Sequence, residues 1–162
     1  MADAQQIRHL IAYNQWADER LLTAIDGLGA DELDRPCEAY FGCLAKNLQH
    51  ILRAQWHWLA RWPGGSSPAG DPPLGPWREA FAAVHAALER YVAPLSESDL
   101  DRVVKYTTAS GLSGEHPLGR LITHVVNHGT AHRAETGLLL ERIGRSPGDL
   151  DYLVFLRQQP PR

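Results

Sequence analysis

Three histidines recur at four-residue intervals toward the C-terminal end of the chain, at His124, His128 and His132. On an α-helix, neighbours in such a series lie about 40° apart around the axis and about 6 Å apart along it, so their imidazoles share one face. Neutral imidazole is a common ligand of divalent transition metals, and an i, i+4 pair can reach one ion. The spacing therefore predicts a metal site, and structural histidines are the alternative that spacing leaves open.

A further ligand could come from a second predicted helix, which begins near Gly42, runs to Trp62 and stops at the Pro-Gly-Gly sequence that follows. His50 lies beside the apolar stripe of this helix, and a buried imidazole needs a partner, which a metal could be. His57 lies about 10 Å farther along the helix axis, so the two histidines cannot share one ion. His57 is the weaker candidate, but spacing does not decide between them.

Four amphipathic segments with apolar residues three and four positions apart must position these histidines. Besides the helix just described, they are Ala4–Ile25, a third helix from Leu74 or Trp77 to Val92, and a last helix that includes Leu121–Arg142. Before the last helix, Asp101–Glu115 combines β-branched and turn residues, which predicts a small β-hairpin. The pattern predicts an all-α four-helix bundle, a fold whose core commonly holds metal sites.

The connecting segments carry weaker signals. Pro63–Pro76 is rich in Pro, Gly and Ser and is predicted to be a long loop. One helical turn is predicted at Ala30–Leu33, and proline at position 117 is placed in the first turn of the last helix. His85, beside Val84 on the third helix, is predicted to be solvated or half-buried.

The length and composition of the chain limit the classes of function that it can have. The 162 residues suit a single domain, 1–162, which would bury about two-thirds of its unfolded surface without needing a disulfide or a metal to fold. A formal net charge of −3 gives no basic footprint, so no nucleic-acid partner is predicted. No membrane-spanning run or signal peptide is recognised, which predicts a cytoplasmic protein with no membrane partner. Cys37 and Cys43 are then expected to be free thiols.

Four segments together resemble the DinB-like metalloproteins, which are grouped with the bacillithiol and mycothiol S-transferases. They are YNQWADERLL at Tyr13–Leu22, LAKNLQHILRAQWHW around His50, the TTASG hairpin, and HVVNHGTAHRAE at His124–Glu135. The resemblance spans nearly the whole chain. It implies a bundle of up-down-down-up order, usually a homodimer, with one divalent metal held by one histidine of the second helix and two of the fourth.

Mapped onto this sequence, the implied metal ligands are His50, His128 and His132. His124 occupies a position that is often histidine in relatives without being assigned as a ligand. Relatives often have His-Arg-Gly-Gln where this chain continues from His132 to Glu135, so a carboxylate replaces a neutral amide. Glu135 could change the charge presented to a substrate, serve as a fourth ligand, or act in the second shell or in proton transfer, and a solvated carboxylate on the helix face is the alternative.

Three neutral ligands leave a divalent ion with uncompensated charge and an open position, as in catalytic zinc sites. Such an ion favours the thiolate form of a low-molecular-weight thiol, which suits a thiol-dependent S-transferase acting on a small electrophile. The alternatives are a metal-dependent hydrolase and a non-catalytic, stress-associated metal-binding protein. The HExxH arrangement of metalloproteases is absent because Gly129 follows His128. Zinc, nickel, iron, copper and manganese all suit three histidines, so the metal is not identified.

Overall fold

The computed structural model describes residues 3–65 and 76–159. In chain order, its helices and strands are α1 Ala4–Ala24, α2 Ala30–Leu33, α3 Leu44–Arg61, α4 Trp77–Val92, α5 Glu97–Asp101, β1 Val103–Thr107, β2 Ser113–Pro117, α6 Leu118–Arg142 and α7 Tyr152–Gln158. The long helices α1, α3, α4 and α6 form the predicted four-helix bundle. None of the described helices has the length and apolar composition needed to cross a bilayer.

The four long helices pack in a closed ring in which α1 contacts α6, α6 contacts α3, α3 contacts α4 and α4 contacts α1. The C-terminal ends of α3 and α4 lie together, because the rings of Trp62 and Tyr91 are 5.3 Å apart. These two helices are therefore parallel. Near the start of α1, Arg8 donates a hydrogen bond to the carbonyl of Leu95 beyond the end of α4, so α1 and α4 are antiparallel.

Helices α3 and α6 are antiparallel as well, because later residues of α3 meet earlier residues of α6. His50 lies against His128, whereas Trp58 lies against His124. The order is consequently up-down-down-up, which confirms the expected fold. In this order α3 and α6 are neighbours along their length, and this adjacency brings the two histidine-bearing faces together.

The core of the bundle is made of apolar side chains at the three- and four-residue spacing recognised in the sequence. Its most deeply buried members include Ile7, Leu21, Leu22, Leu48, Ile51, Leu52, Leu59, Phe81, Val84, Leu88, Leu118, Ile122, Val125 and Leu140. Gly144 follows the end of α6 with a φ of +73°, a left-handed conformation that favours glycine and stops the helix. The periodic segments therefore become helices because each buries one stripe against its neighbours.

Most boundaries match the sequence-based expectations to within two residues. The turn at α2 and the antiparallel hairpin β1–β2 are confirmed, with Val104 opposite His116 in the register. Pro117 ends β2 and caps α6 instead of lying in its first turn, because the strand pairing extends through this residue. Of the predicted Pro63–Pro76 loop, residues 66–75 lie outside the described residues, as does the alternative helix start at Leu74.

Candidate metal centre

Three half-buried histidines converge between α3 and α6: His50 from α3, and His128 and His132 from successive turns of α6. One potential ligand atom from each lies within 4.8 Å of the others. The Nε2 atoms of His50 and His128 are 3.0 Å apart, a separation that two metal–nitrogen bonds of about 2.0–2.1 Å can span. The structure thus positions three histidines to bind a metal ion.

The surroundings keep two of these imidazoles in the form that binds metals. Burial lowers the pKa of His50 to about 4, and the charges of His132 and Arg53 act in the same direction. Burial also lowers the pKa of His128 to about 4, assisted by the charges of its neighbours in the triad. Both rings are therefore neutral at pH 7, with lone pairs available to a cation. Neutral nitrogen donors at this spacing fit a divalent transition metal.

Phe41, in the connection before α3, closes one side of the triad. Its ring lies 4.2 Å from the His50 ring at an interplanar angle of 30°, and 5.7 Å from the His132 ring. The chain turns into α3 at Gly42, whose φ of +82° is a conformation that favours glycine. The sequence did not indicate a role for Phe41, because the path of an irregular connection is set by contacts distant along the chain.

Glu135 supplies one of those distant contacts. Its Oε1 accepts a hydrogen bond of 2.7 Å from the backbone N–H of Tyr40, which fastens the connection to α6. Its Oε2 lies 3.7 Å from Nδ1 of His132, a distance too long for a hydrogen bond but suited to an electrostatic interaction. Glu135 does not belong to the cluster of potential ligands found among the described residues. The carboxylate of Glu135 thus lies beside the triad and outside the cluster.

The other candidate histidines lie near the triad without joining it. His57 and His124 line the cleft beside the triad, but the cluster of potential ligands includes neither. Desolvation lowers the pKa of His124, whose ring lies 5.1 Å from Trp58. Cys43 is buried at the N-terminus of α3 and is absent from the cleft lining, and both cysteines are free. The structure thus agrees with the prediction that His57, about 10 Å from His50 along the helix axis, does not join His50 in one site.

An open cleft of about 820 Å³ borders the triad. Its walls come from α3, α6, the turn of the hairpin and the connection before α3. The lining residues are Tyr40, Phe41, Lys46, Gln49, His50, Arg53, Ala54, His57, Trp58, Arg61, Thr108, Ala109, Ser110, His124 and His128. This cleft gives a small molecule access to His50 and His128.

A network of buried polar side chains lies on the inner side of α6. Asp18 is its centre: Arg133 donates to Oδ1 at 2.9 Å, Gln55 donates to Oδ2 at 2.7 Å, and Nε2 of His85 is 2.9 Å from Oδ2. Asn14 accepts a second bond from Arg133, of 2.7 Å, and donates to Gln55. All five side chains are at most 2% exposed.

This network corrects the prediction for His85, which is buried and neither solvated nor half-buried. Its burial is possible because the carboxylate of Asp18 on α1 accepts the hydrogen bond that the imidazole would lose on leaving water. The sequence signal that could have revealed the network is the pair Asn14 and Asp18, polar residues one turn apart on the buried side of α1.

Gly129 makes room for this network, and we expect Gly129→Ala to destabilise the protein. A Cβ atom there would lie 2.6 Å from Nη1 of Arg133 and 3.0 Å from Oδ1 of Asn14, so the buried hydrogen bonds would have to shift. Overpacking costs about 1–3 kcal/mol, and alanine's helix propensity offsets roughly 1 kcal/mol of that cost, so we expect a net loss of up to about 2 kcal/mol. Urea unfolding monitored by circular dichroism measures the change.

Gly137→Ala is the matched control on the same helix. There a Cβ atom would meet Pro147 at 3.5 Å and Leu150 at 3.9 Å, which are ordinary contacts. We expect this substitution to leave stability unchanged or to raise it by up to about 1 kcal/mol. Equal effects at the two glycines would contradict the role assigned to Gly129.

Asp18 should also make stability depend on pH. Burial alone would raise the pKa of this carboxyl group, but Arg133 and His85 outweigh burial and hold the pKa below its ordinary value of 3.8. A lowered pKa in the folded state means that the stabilisation is present above the unfolded-state pKa and is lost as the pH falls through the folded-state value. The stability difference between the wild type and Asp18→Asn should therefore stay constant from about pH 7 to about pH 5 and shrink as the pH falls below about 4. If the difference in the free energy of urea unfolding between the two proteins did not change with pH, the ionised pairing of Asp18 with Arg133 would be contradicted.

The chain is similar to known proteins over most of its length. A model of the DinB family matches residues 1–162, a range that includes both histidine-bearing helices. The chain is also similar to Protein DinB of Bacillus subtilis (strain 168), with 22% identity over 157 residues, covering 91% of this chain and 91% of that protein. The match to the family model extends over the whole sequence. The chain therefore belongs to the DinB family.

Proposed function

We propose that this protein binds one divalent transition metal through His50, His128 and His132 and uses it to transfer a low-molecular-weight thiol to a small electrophilic molecule. The observation that carries the proposal is the convergence of three histidines, two of them held neutral, at the wall of an open cleft. Three neutral ligands leave the cation's charge uncompensated and a position open to a further ligand.

The protein's own residues provide the setting for this chemistry. Phe41 covers one side of His50, while the cleft leaves another side open to small molecules. Glu135 anchors Tyr40, and its other carboxylate oxygen lies 3.7 Å from Nδ1 of His132, where it is placed to act in the second shell of the metal. A divalent cation bound there would stabilise the thiolate form of the co-substrate at neutral pH. In the proposed transfer the thiol loses its proton, its sulfur bonds to an electrophilic carbon, and the leaving group departs with the bonding electron pair.

The test uses protein loaded with Co²⁺, whose absorption spectrum reports its ligands. We expect 2-mercaptoethanol to produce a thiolate-to-metal charge-transfer band and to be consumed with 1-chloro-2,4-dinitrobenzene faster than in the absence of protein. A His128→Ala protein should show neither effect. Hydrolysis of ester substrates without any thiol would favour the hydrolase. If Co²⁺ binds but no thiol changes its spectrum, a non-catalytic metal-binding protein would be the remaining alternative.

Four further points stay predictions. They are the identity of the bound metal (zinc, nickel, iron or manganese), the single domain 1–162, the homodimer and the cytoplasmic location. Elemental analysis of tag-free protein from cells grown without added metal addresses the first. Light scattering coupled to size-exclusion chromatography addresses the homodimer.

A further inference from the structure

The connection between α2 and α3 holds both cysteines of the chain, Cys37 and Cys43, one on each side of a tight turn. The backbone N–H of Cys37 donates a hydrogen bond of 2.9 Å to the carbonyl of Gly42, the residue that precedes Cys43. Between them, the N–H of Gly42 donates a bond of 3.0 Å to the carbonyl of Ala39. The chain therefore doubles back and brings the two cysteines side by side.

The hydrogen bond from Cys37 to Gly42 limits the distance between the two cysteines. From the Cα atom of Cys37 to that of Cys43, the path consists of one N–Cα bond, the 2.9 Å hydrogen bond and the edge of one planar peptide unit. Fully extended, this path would span about 7 Å, and it is shorter because it bends at the nitrogen and at the oxygen. Disulfides usually join cysteines whose Cα atoms are about 4.4–6.8 Å apart. The backbone thus holds the two cysteines within the range of a disulfide.

The two thiols also share their surroundings. Cys43 is a member of the hydrophobic core and is 4% exposed, and the half-buried Cys37 packs against that core. The charge of a Cys43 thiolate is among the causes that raise the pKa of Cys37, as expected for neighbouring thiols. Both thiols are free. The pair is therefore a reduced dithiol placed for oxidation.

Cys37 is the member of the pair that a small molecule can reach. It lines a cavity of about 160 Å³ between the connection and the C-terminal end of α6, and Cys43 is not among the residues that line this cavity. Arg142 lies on the cavity wall and favours the Cys37 thiolate. Burial and the charges of Cys43 and Glu135 outweigh Arg142 and raise the pKa of Cys37 above its ordinary value of 9.0. Cys37 is thus accessible but is mostly protonated at pH 7.

We propose that Cys37 and Cys43 are an oxidisable pair that forms an intramolecular disulfide, with the disulfide of a low-molecular-weight thiol as the oxidant. The Cys37 thiol loses its proton, and its sulfur bonds to one sulfur of the small disulfide while the other departs as a thiolate. The Cys43 thiol then loses its proton and attacks Sγ of Cys37, which releases the second small thiolate. Two protein thiols are oxidised, and one small disulfide is reduced to two thiols.

The proposed bond would enclose the residues that cover the triad. Tyr40, whose N–H donates to Glu135, and Phe41, whose ring lies 4.2 Å from that of His50, both lie between the two cysteines. Oxidation would therefore fix the connection on which the cover of the triad depends. A pair of this kind responds to the ratio of oxidised to reduced small thiols. The inference does not depend on the chemistry proposed for the metal.

The test exposes the reduced wild-type protein to oxidised glutathione and follows its intact mass and its free thiols. We expect the protein to lose the mass of two hydrogen atoms and both free thiols, without retaining glutathione. Because the Cys37 thiolate is the nucleophile and its pKa is raised, the rate should increase about tenfold between pH 7 and pH 8. Protein that keeps both thiols, or that links two chains, would overturn the proposal.

Two single variants separate the roles of the two thiols. Cys43→Ser should stop at a stable glutathione adduct on Cys37, because no second thiol remains to displace the glutathione. Cys37→Ser should stay unmodified, because Cys43 is buried. A wild-type protein that stops at the same adduct as Cys43→Ser would show that the two thiols cannot meet, and the proposal would fail.

Unfolding in urea tests whether the bond constrains the chain. A disulfide that closes a loop as short as the one from Cys37 to Cys43 lowers the equilibrium constant for unfolding by roughly 10- to 50-fold. We expect this change in the oxidised wild type, and dithiothreitol should reverse it. Neither serine variant should respond to dithiothreitol after the same treatment with oxidised glutathione and removal of any adduct. Equal stability of the oxidised and reduced wild type would contradict the constraint on the connection.

Discussion

Near-stoichiometric metal in the wild-type protein is expected to fall to a trace when His50, His128 or His132 is replaced by alanine. Each substitution removes one of the three proposed nitrogen ligands and leaves two, too few to hold a divalent ion against the buffer. Loss of an outer-shell partner already costs about 10–100-fold in metal affinity, so loss of a direct ligand should cost more than about 100-fold. Elemental analysis after dialysis and competition with a chelator dye provide the measurement.

His57→Ala is the matched control, because it removes the same side chain from the same helix at a position outside the ligand cluster. This variant should retain the metal content of the wild type. If His57→Ala lost metal as fully as His50→Ala, the proposed assignment of the α3 ligand would be wrong. A wild-type protein that takes up no divalent metal even when it is offered would remove the basis of the proposed function.

Replacing Arg133 with methionine is expected to lower the free energy of unfolding by about 3–5 kcal/mol, the usual cost of removing one partner from a buried ion pair. The cause is that Asp18 would keep its charge in the interior without the guanidinium that now donates to it at 2.9 Å. Asn14 would lose its hydrogen bond to the same group. Urea unfolding at neutral pH measures the loss of unfolding free energy. The metal content of the folded variant should stay close to that of the wild type.

Two controls separate pairing from general effects of losing an arginine. Arg78→Met breaks an exposed interaction with Asp26 and Glu19 and should change stability little, because exposed ion pairs are screened by water. The double variant Asp18→Asn/Arg133→Met should recover part of the loss, since no unpaired buried charge remains and the amide oxygen can still accept a hydrogen bond from Gln55 or His85. A double variant as unstable as the sum of its two single variants would show that the ion pair is not the source of the effect.

The buried network is also the clearest case of a feature that periodicity could not predict. His85 lies at a position on α4 that an apolar pattern assigns to the edge of the core, yet it is fully enclosed. What decides its burial is Asp18, 67 residues earlier in the chain. A polar side chain becomes a core residue only when a partner meets its hydrogen-bonding needs, and that partner lies on another helix. The sequence around His85 itself carries no record of that partner.

By itself the sequence determined the four long helices, the hairpin and the shared face of His128 and His132, since these depend on repeats of three and four residues within one segment. Tertiary structure decided which residues meet across segments. It brought His50, and not His57, to the α6 pair, and it folded Phe41 over the centre. The physical reason is that helical periodicity defines a face but not the axial offset between two packed helices. That offset is set by how side chains interlock across the whole bundle.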